Sequence, residues 1–157
     1  AGWYHGPVFR TLEDFVIGAG ASHSGRVLAL PATALRPWRS AAEWWIPAPA
    51  LDGCLAMCVQ VVRAKLAADG LPVAFGRVRV KRQPVPGEVC EVFVRERGHD
   101  ERRVHFDFTL TGADGSVIFE VEDYVLRTFH RIGDGRDAPR EVRKTRGSEP
   151  DALWTTS

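Results

Sequence analysis

Asp52 is the side chain with the most chemistry to offer. Its carboxyl stands between the apolar runs WWIPAPAL and GCLAMCV, where a long apolar segment begins. By residue type and place it reads first as a helix N-cap, accepting from the free N–H groups of the first turn and complementing the helix dipole, for about 1 kcal/mol. It also has a chemical reading, as a proton donor. Apolar neighbours raise a carboxyl pKa by desolvation, the helix N-terminus and hydrogen bonds to the charged form lower it, and such opposed effects tune an acid for work near neutral pH.

The remaining reactive side chains are scattered. His5 lies in WYHGPVFRTL, an aromatic pair and a Gly-Pro turn ahead of an apolar run, which either starts a strand or lines the mouth of a site. His23, in GASHSG, reads as a solvated turn residue, and His105 alternates with apolar residues, so it faces the outer side of a sheet. Cys54 and Cys58 have the spacing of half a metal site, yet no second CxxC or HxxxH supplies the other ligands of a tetrahedral zinc. With Cys90 they read as buried apolar side chains of a reducing compartment. GDGRDAP has glycines but no helix after it and is not a phosphate loop.

The elements that must position these groups follow from periodicity. Residues 8–17 and 25–30 are β-rich runs joined by a flexible stretch, a candidate hairpin; residues 31–49, with four prolines and three tryptophans, read as a packed crossing loop. Residues 49–70 form the one convincing helix, apolar over most of its girth and therefore buried on nearly all faces, with Asp69-Gly70 as its C-terminal stop. After it the period becomes two. AFGRVRVKR, EVCEVFVRER and VHFDFTL read as strands, and an Asp114-Gly115 turn links the last of them to SVIFEVEDYVLRTF. Strands on both sides of a single enveloped helix imply an α+β hot-dog fold, an antiparallel sheet wrapped around one buried helix, over residues 1–130. Residues 131–157, rich in Gly, Arg, Asp, Pro and Ser, read as a polar linker or tail.

The chain's 157 residues suit one domain. Lys and Arg number 21 against 20 Asp and Glu, and a net charge of +1 gives no global field for nucleic acid or a membrane surface. No apolar run approaches the ~20 residues of a membrane span, and AGWYHGP lacks the basic and apolar regions of a signal peptide, so a cytoplasmic location is expected.

In order along residues 3–130, YHGPVF before a strand, PALDGCL opening a buried helix, LPVAFGRVRV as the next strand and the TGADGSVIFEVEDYVLR hairpin resemble the dehydratase domains of polyketide synthases. The likeness is to the second, C-terminal hot dog of that double hot-dog domain. It implies removal of water from a β-hydroxyacyl chain held on the phosphopantetheine arm of an acyl carrier protein, with no metal or redox cofactor. In that family a histidine of the first hot dog takes the α-proton and an aspartate opening the second hot-dog helix protonates the departing hydroxyl; Asp52 matches that aspartate. Gly6, Pro7 and Phe9 match the substrate-lining Tyr-Gly-Pro motif, with His5 in the tyrosine's place and Tyr4 displaced by one. Ala56 stands where the family usually has the Gln or His that orients the carboxylate.

The base-bearing pattern, His with Gly at the fourth position and Pro five further on, occurs at none of His5, His23, His99, His105 or His130. Dehydration needs a base and an acid on either side of one substrate. The resemblance therefore implies half of a site, completed by a second hot dog from upstream in the same polypeptide, another copy or a separate subunit, and an oligomer is expected because a lone sheet leaves an edge to cover. Arg77, Arg79 and Lys81 read as a solvated strand face or as a dock for the carrier protein or its phosphate. Two other readings keep the fold: a product-template or ring-forming cyclase of the same superfamily, and a degenerate module that binds acyl chains without turnover.

Overall fold

The structure is a computed structural model and describes residues 7–30 and 45–129. A short 3-10 turn, Pro7–Phe9, leads into β1 (Leu12–Ile17) and β2 (Ser22–Leu28); helix α1 (Ala48–Leu66) follows, then β3 (Asp69–Val80), β4 (Val89–His99), β5 (Arg103–Thr111) and β6 (Val117–Phe129). The strands form one sheet in the order β1-β2-β4-β5-β6-β3, with every neighbouring pair antiparallel. One helix against one antiparallel sheet is the hot-dog arrangement that the periodicity implies. The expected tail, residues 131–157, and most of the expected crossing loop lie outside the described residues.

The core lies between α1 and the inner face of the sheet. Along β4 and β5 the alternation is strict: Cys90, Val92 and Val94, then Val104, Phe106, Phe108 and Leu110, point inward and are buried. From the helix come Ala50, Cys54, Met57, Cys58, Val61 and Val62, residues that recur at helical spacing on one stripe. Leu51, Leu55 and Val59, off that stripe, still pack on the core. Only Arg63, Ala64 and Lys65 in the last turns are exposed, so the helix is enclosed over most of its length.

Both helix ends differ from the sequence reading. Pro47 is the N-cap and Pro49 lies in the first turn, where a fixed φ and a missing N–H cost nothing and start the helix early. At the other end Ala67 takes the left-handed conformation at φ 50° and stops the helix, which frees Asp69 and Gly70 to begin β3. Asp69 is buried and accepts from Arg63 Nε at 2.6 Å, tying the helix end to the strand it feeds. Residues 8–11 precede the first strand instead of forming it. The Asp114-Gly115 turn is likewise wider than two residues: residues 112–116 connect β5 to β6, with Gly115 at φ 78° and Asp114 Oδ1 accepting from Ser116 N.

β6 carries an irregularity that matters for the site. Phe106 pairs with Tyr124 but Phe108 pairs with Val121, so β6 holds one extra residue opposite Asp107. Asp123 fills that place at φ 55°. Its N–H donates to Asp107 Oδ1 at 2.9 Å, and its carboxylate contacts His105 Nδ1 at 2.7 Å. Gly76 of β3 makes the room, since a Cβ there would stand 2.9 Å from Asp123 Cβ and 3.0 Å from the Glu122 carbonyl oxygen. The bulge reverses the alternation, and Tyr124 turns inward.

Candidate functional site

Asp52 is the fifth residue of α1 and not its cap, because the helix begins five residues earlier than a cap at Asp52 would allow. Its side chain is half-buried, and Oδ2 is closed off from solvent. The segment that carries it is held close to the sheet. Thr11, fully buried, donates from Oγ1 to the Pro49 carbonyl oxygen at 2.9 Å, and the Pro7–Phe9 turn packs against the helix. Gly53, next to Asp52, is the contact point: a Cβ there would run into Thr11 Oγ1 and lie 3.0 Å from Val27 Cγ1. A larger residue would lift this end of α1 off β2.

Cys54 and Cys58, on the same helix as Asp52, and Cys90 on β4 lie in the core. Burial pushes the Cys54 thiol well up, with Cys58, Cys90 and Asp52 adding smaller effects in the same direction. Burial also raises Cys58, and it pushes Cys90 up to about 11. All three are free, buried thiols, held protonated as core side chains.

Tyr124 is the group that the sequence reading missed. It is 0% exposed, stacks on Phe75 with ring centroids 5.0 Å apart, and meets Phe108 edge-on at 5.8 Å. Among the described residues its hydroxyl has no hydrogen-bond partner, although a buried polar group left so costs about 1–3 kcal/mol. Burial raises its pKa far above the usual phenol value. The only signal in the sequence is a break in alternation: after Phe119 and Val121 the next inward position would be Asp123, and the aromatic residue comes one place late.

The other candidates fall into three groups. Tyr4, His5 and Gly6 lie outside the described residues; Pro7 and Phe9 stand in the turn against α1, and Phe9 is half-buried. Ala56, one turn after Asp52 on the helix, is half-buried and brings only a methyl group. His23 is not solvated: it is 4% exposed, its Nδ1 accepts from Gly18 N–H at 3.1 Å, and burial lowers its pKa. β2 begins at Ser22, earlier than the expected strand, and that register sends His23 inward. His105 does face outward, where it holds the bulge. Arg79 pairs with Glu122 at 2.8 Å and Glu120 at 3.9 Å, and Arg77 with Glu122 at 3.5 Å, a cross-strand ladder on the outer face.

The family model described as the polyketide synthase dehydratase N-terminal domain matches residues 1–136. The chain belongs to the polyketide synthase dehydratase family. The matching description is that of the N-terminal domain, and it gives no support for placing this dehydratase-family chain in the C-terminal half. No curated protein matches it. Among solved structures it is similar to GphF dehydratase 1 (TM-score 0.63, 17% identity, 79% of this chain and 45% of that one) and to the bifunctional dehydratase-cyclase domain in ambruticin biosynthesis (0.59, 20%, 79% and 42%). It is also similar to a hypothetical thioesterase protein from Streptococcus pneumoniae TIGR4 solved with coenzyme A (0.59, 10%, 80% and 91%). At these identities the likeness is one of fold: the chain spans less than half of each dehydratase structure and nearly all of the thioesterase. None of the described helices is long and apolar enough to cross a membrane.

Proposed function

We propose that this chain is the acid-bearing half of a dehydratase site, corresponding to the C-terminal hot dog of the double hot-dog domain. On this reading it removes water from a β-hydroxyacyl thioester on an acyl carrier protein. The observation that carries the proposal is Asp52, half-buried with one oxygen sealed off, on a helix enclosed by the sheet. A carboxyl so placed can be held protonated until a hydroxyl leaves, and its proton then departs with that hydroxyl as water. Tyr4 or His5, with the Pro7–Phe9 turn beside the helix, would orient the hydroxyl, and no metal or redox cofactor is required.

A base for the α-proton comes from a second hot dog. Two facts support such a partner. The chain spans 42–45% of the dehydratase structures it resembles, and β3, an edge strand, leaves Leu71, Val73 and Phe75 exposed along its length. The phosphopantetheine arm would then enter between the two hot dogs.

Asp52→Asn in the full-length protein tests the reading. Loss of 18 Da from a β-hydroxyacyl chain on its carrier protein is expected to slow at least ~100-fold, the effect of losing a general acid, while the melting temperature holds. Near-normal dehydration by the variant removes Asp52 from the mechanism. A wild-type product of unchanged mass but closed ring would favour a cyclase, and carrier binding without turnover, unaffected by the substitution, would favour an acyl-binding module.

A further inference from the structure

The turn between β1 and β2 is held shut by three hydrogen bonds. Gly18 N–H donates across it to His23 Nδ1 at 3.1 Å, Lys65 Nζ at the end of α1 donates to the Gly20 carbonyl oxygen at 2.9 Å, and Glu96 N–H of β4 donates to the Ala21 carbonyl oxygen at 2.8 Å. Gly18 permits the tight approach, because a Cβ there would run into the Ser22 carbonyl oxygen. The first of these bonds fixes a protonation state. An amide N–H can only donate, so Nδ1 is bare and the proton of the neutral ring sits on Nε2. A second proton, on Nδ1, would set one N–H against another and break the bond.

Nothing around the ring offsets that loss. His23 is 4% exposed, and its Nε2 is closed off from solvent. Its register partners are Ile17 on β1 and Val94 on β4, neither of which carries charge. Two charged groups act on it: Lys65 of α1 opposes a further positive charge, and Glu96 of β4 favours one. Glu96 is already engaged by Lys65 Nζ at 2.7 Å and His99 Nδ1 at 3.1 Å. Burial, then Lys65, outweighs Glu96 and holds the imidazole below the ordinary 6.5.

We propose that His23 is an acid-sensitive latch on this hairpin: the turn stays shut while the ring is neutral, and proton uptake opens it and loosens β1. The effect reaches past the turn, since β1 is an edge strand and Thr11, just before it, holds the Pro49 carbonyl oxygen in the first turn of α1. A histidine depressed in the closed state stabilises that state fully above 6.5, and the contribution is lost as pH falls below it. The latch is independent of the reaction assigned to Asp52.

Hydrogen exchange of the full-length protein at pH 7.5 and 5.5, read on peptides covering residues 15–23 and 103–111, tests it. After correction for the intrinsic pH dependence of exchange, protection in the hairpin should fall about 10-fold at the lower pH, roughly one unit below the ordinary histidine value, while β5 holds. His23→Asn sets an amide oxygen close to the place of Nδ1, where it still accepts from Gly18 N–H and does not titrate. Its hairpin should be equally protected at both pH values. A wild-type hairpin unchanged by pH, or a fall shared by β5, overturns the proposal. So does a variant that loses protection in parallel with the wild type, which would move the acid response to His99 and Glu96. Should His23→Asn fail to fold, the wild-type hairpin and β5 decide by the same outcomes.

Discussion

Two polar clusters of this sheet are built on opposite terms. Where β3 gives way to β4, Glu88 receives four N–H groups: Arg82 Nη1 at 3.1 Å and Nη2 at 2.8 Å, Val85 N at 2.8 Å and Ala113 N at 3.0 Å. Arg82 Nε goes on to Ser116 Oγ at 2.8 Å, so the knot joins the end of β3, the loop after it and the β5–β6 turn. Elsewhere in the core the start of α1 rests on Thr11 and Val27, and the phenol of Tyr124 finds no partner among the described residues. The first cluster uses its polarity to close the fold. The second leaves a buried polar group that does not brace the fold.

Breaking the brace should have the largest effect on stability. Glu88→Gln keeps the shape, removes the charge and sets an NH2 group against N–H donors, so it should cost about 2–3 kcal/mol at pH 7 in denaturant unfolding. The Arg82 guanidinium, with help from the Val85 and Ala113 amides, holds the Glu88 carboxyl down at about 2, against 4.5 for an ordinary glutamate. A carboxyl depressed in the folded state stabilises fully above its unfolded pKa. That contribution is lost as pH falls from about 4.5 towards 2. The variant should therefore show a shallower loss of stability across that range, with dehydration at neutral pH retained by the folded fraction. An identical acid limb would mean that Glu88 is no brace.

Legibility from sequence followed the same division. Where one face is dry and the other wet, as along β5, alternation alone places Val104, Phe106, Phe108 and Leu110 correctly. The enclosed helix was legible because few polar residues interrupt it. Ala67, Asp123 and His23 were not. Two of these depend on a left-handed backbone that neither side chain advertises, and the third on a hairpin register set by tertiary pairing. The dry phenol of Tyr124 follows from one of them, so the sequence reading passed over it.

A gentler probe sharpens the comparison at the Asp52 end. Gly53→Ala adds a methyl that meets Thr11 Oγ1 and stands 3.0 Å from Val27. Alanine gains about 1 kcal/mol of helix propensity over glycine, while overpacking costs about 1–3 kcal/mol. A net loss near 1 kcal/mol is expected. Because the strain falls beside Asp52, kcat should drop more than stability does, the reverse of Glu88→Gln. A variant as active and stable as the wild type would show that the close approach of α1 to β2 is not needed to aim the carboxyl.

The smallest effect belongs to the outer face. Arg79 is exposed and its partners Glu120 and Glu122 are exposed or nearly so, which leaves the ladder screened by solvent and salt. Such pairs contribute little, and Arg79→Ala should change stability by less than about 0.5 kcal/mol, with the difference shrinking further in 0.5 M salt. The same variant tests whether this row serves the carrier protein. If Arg79 only balances the two glutamates, KM for the carrier-bound substrate stays constant; a several-fold rise in KM that fades with salt would make the ladder a second functional surface, on the face opposite Asp52.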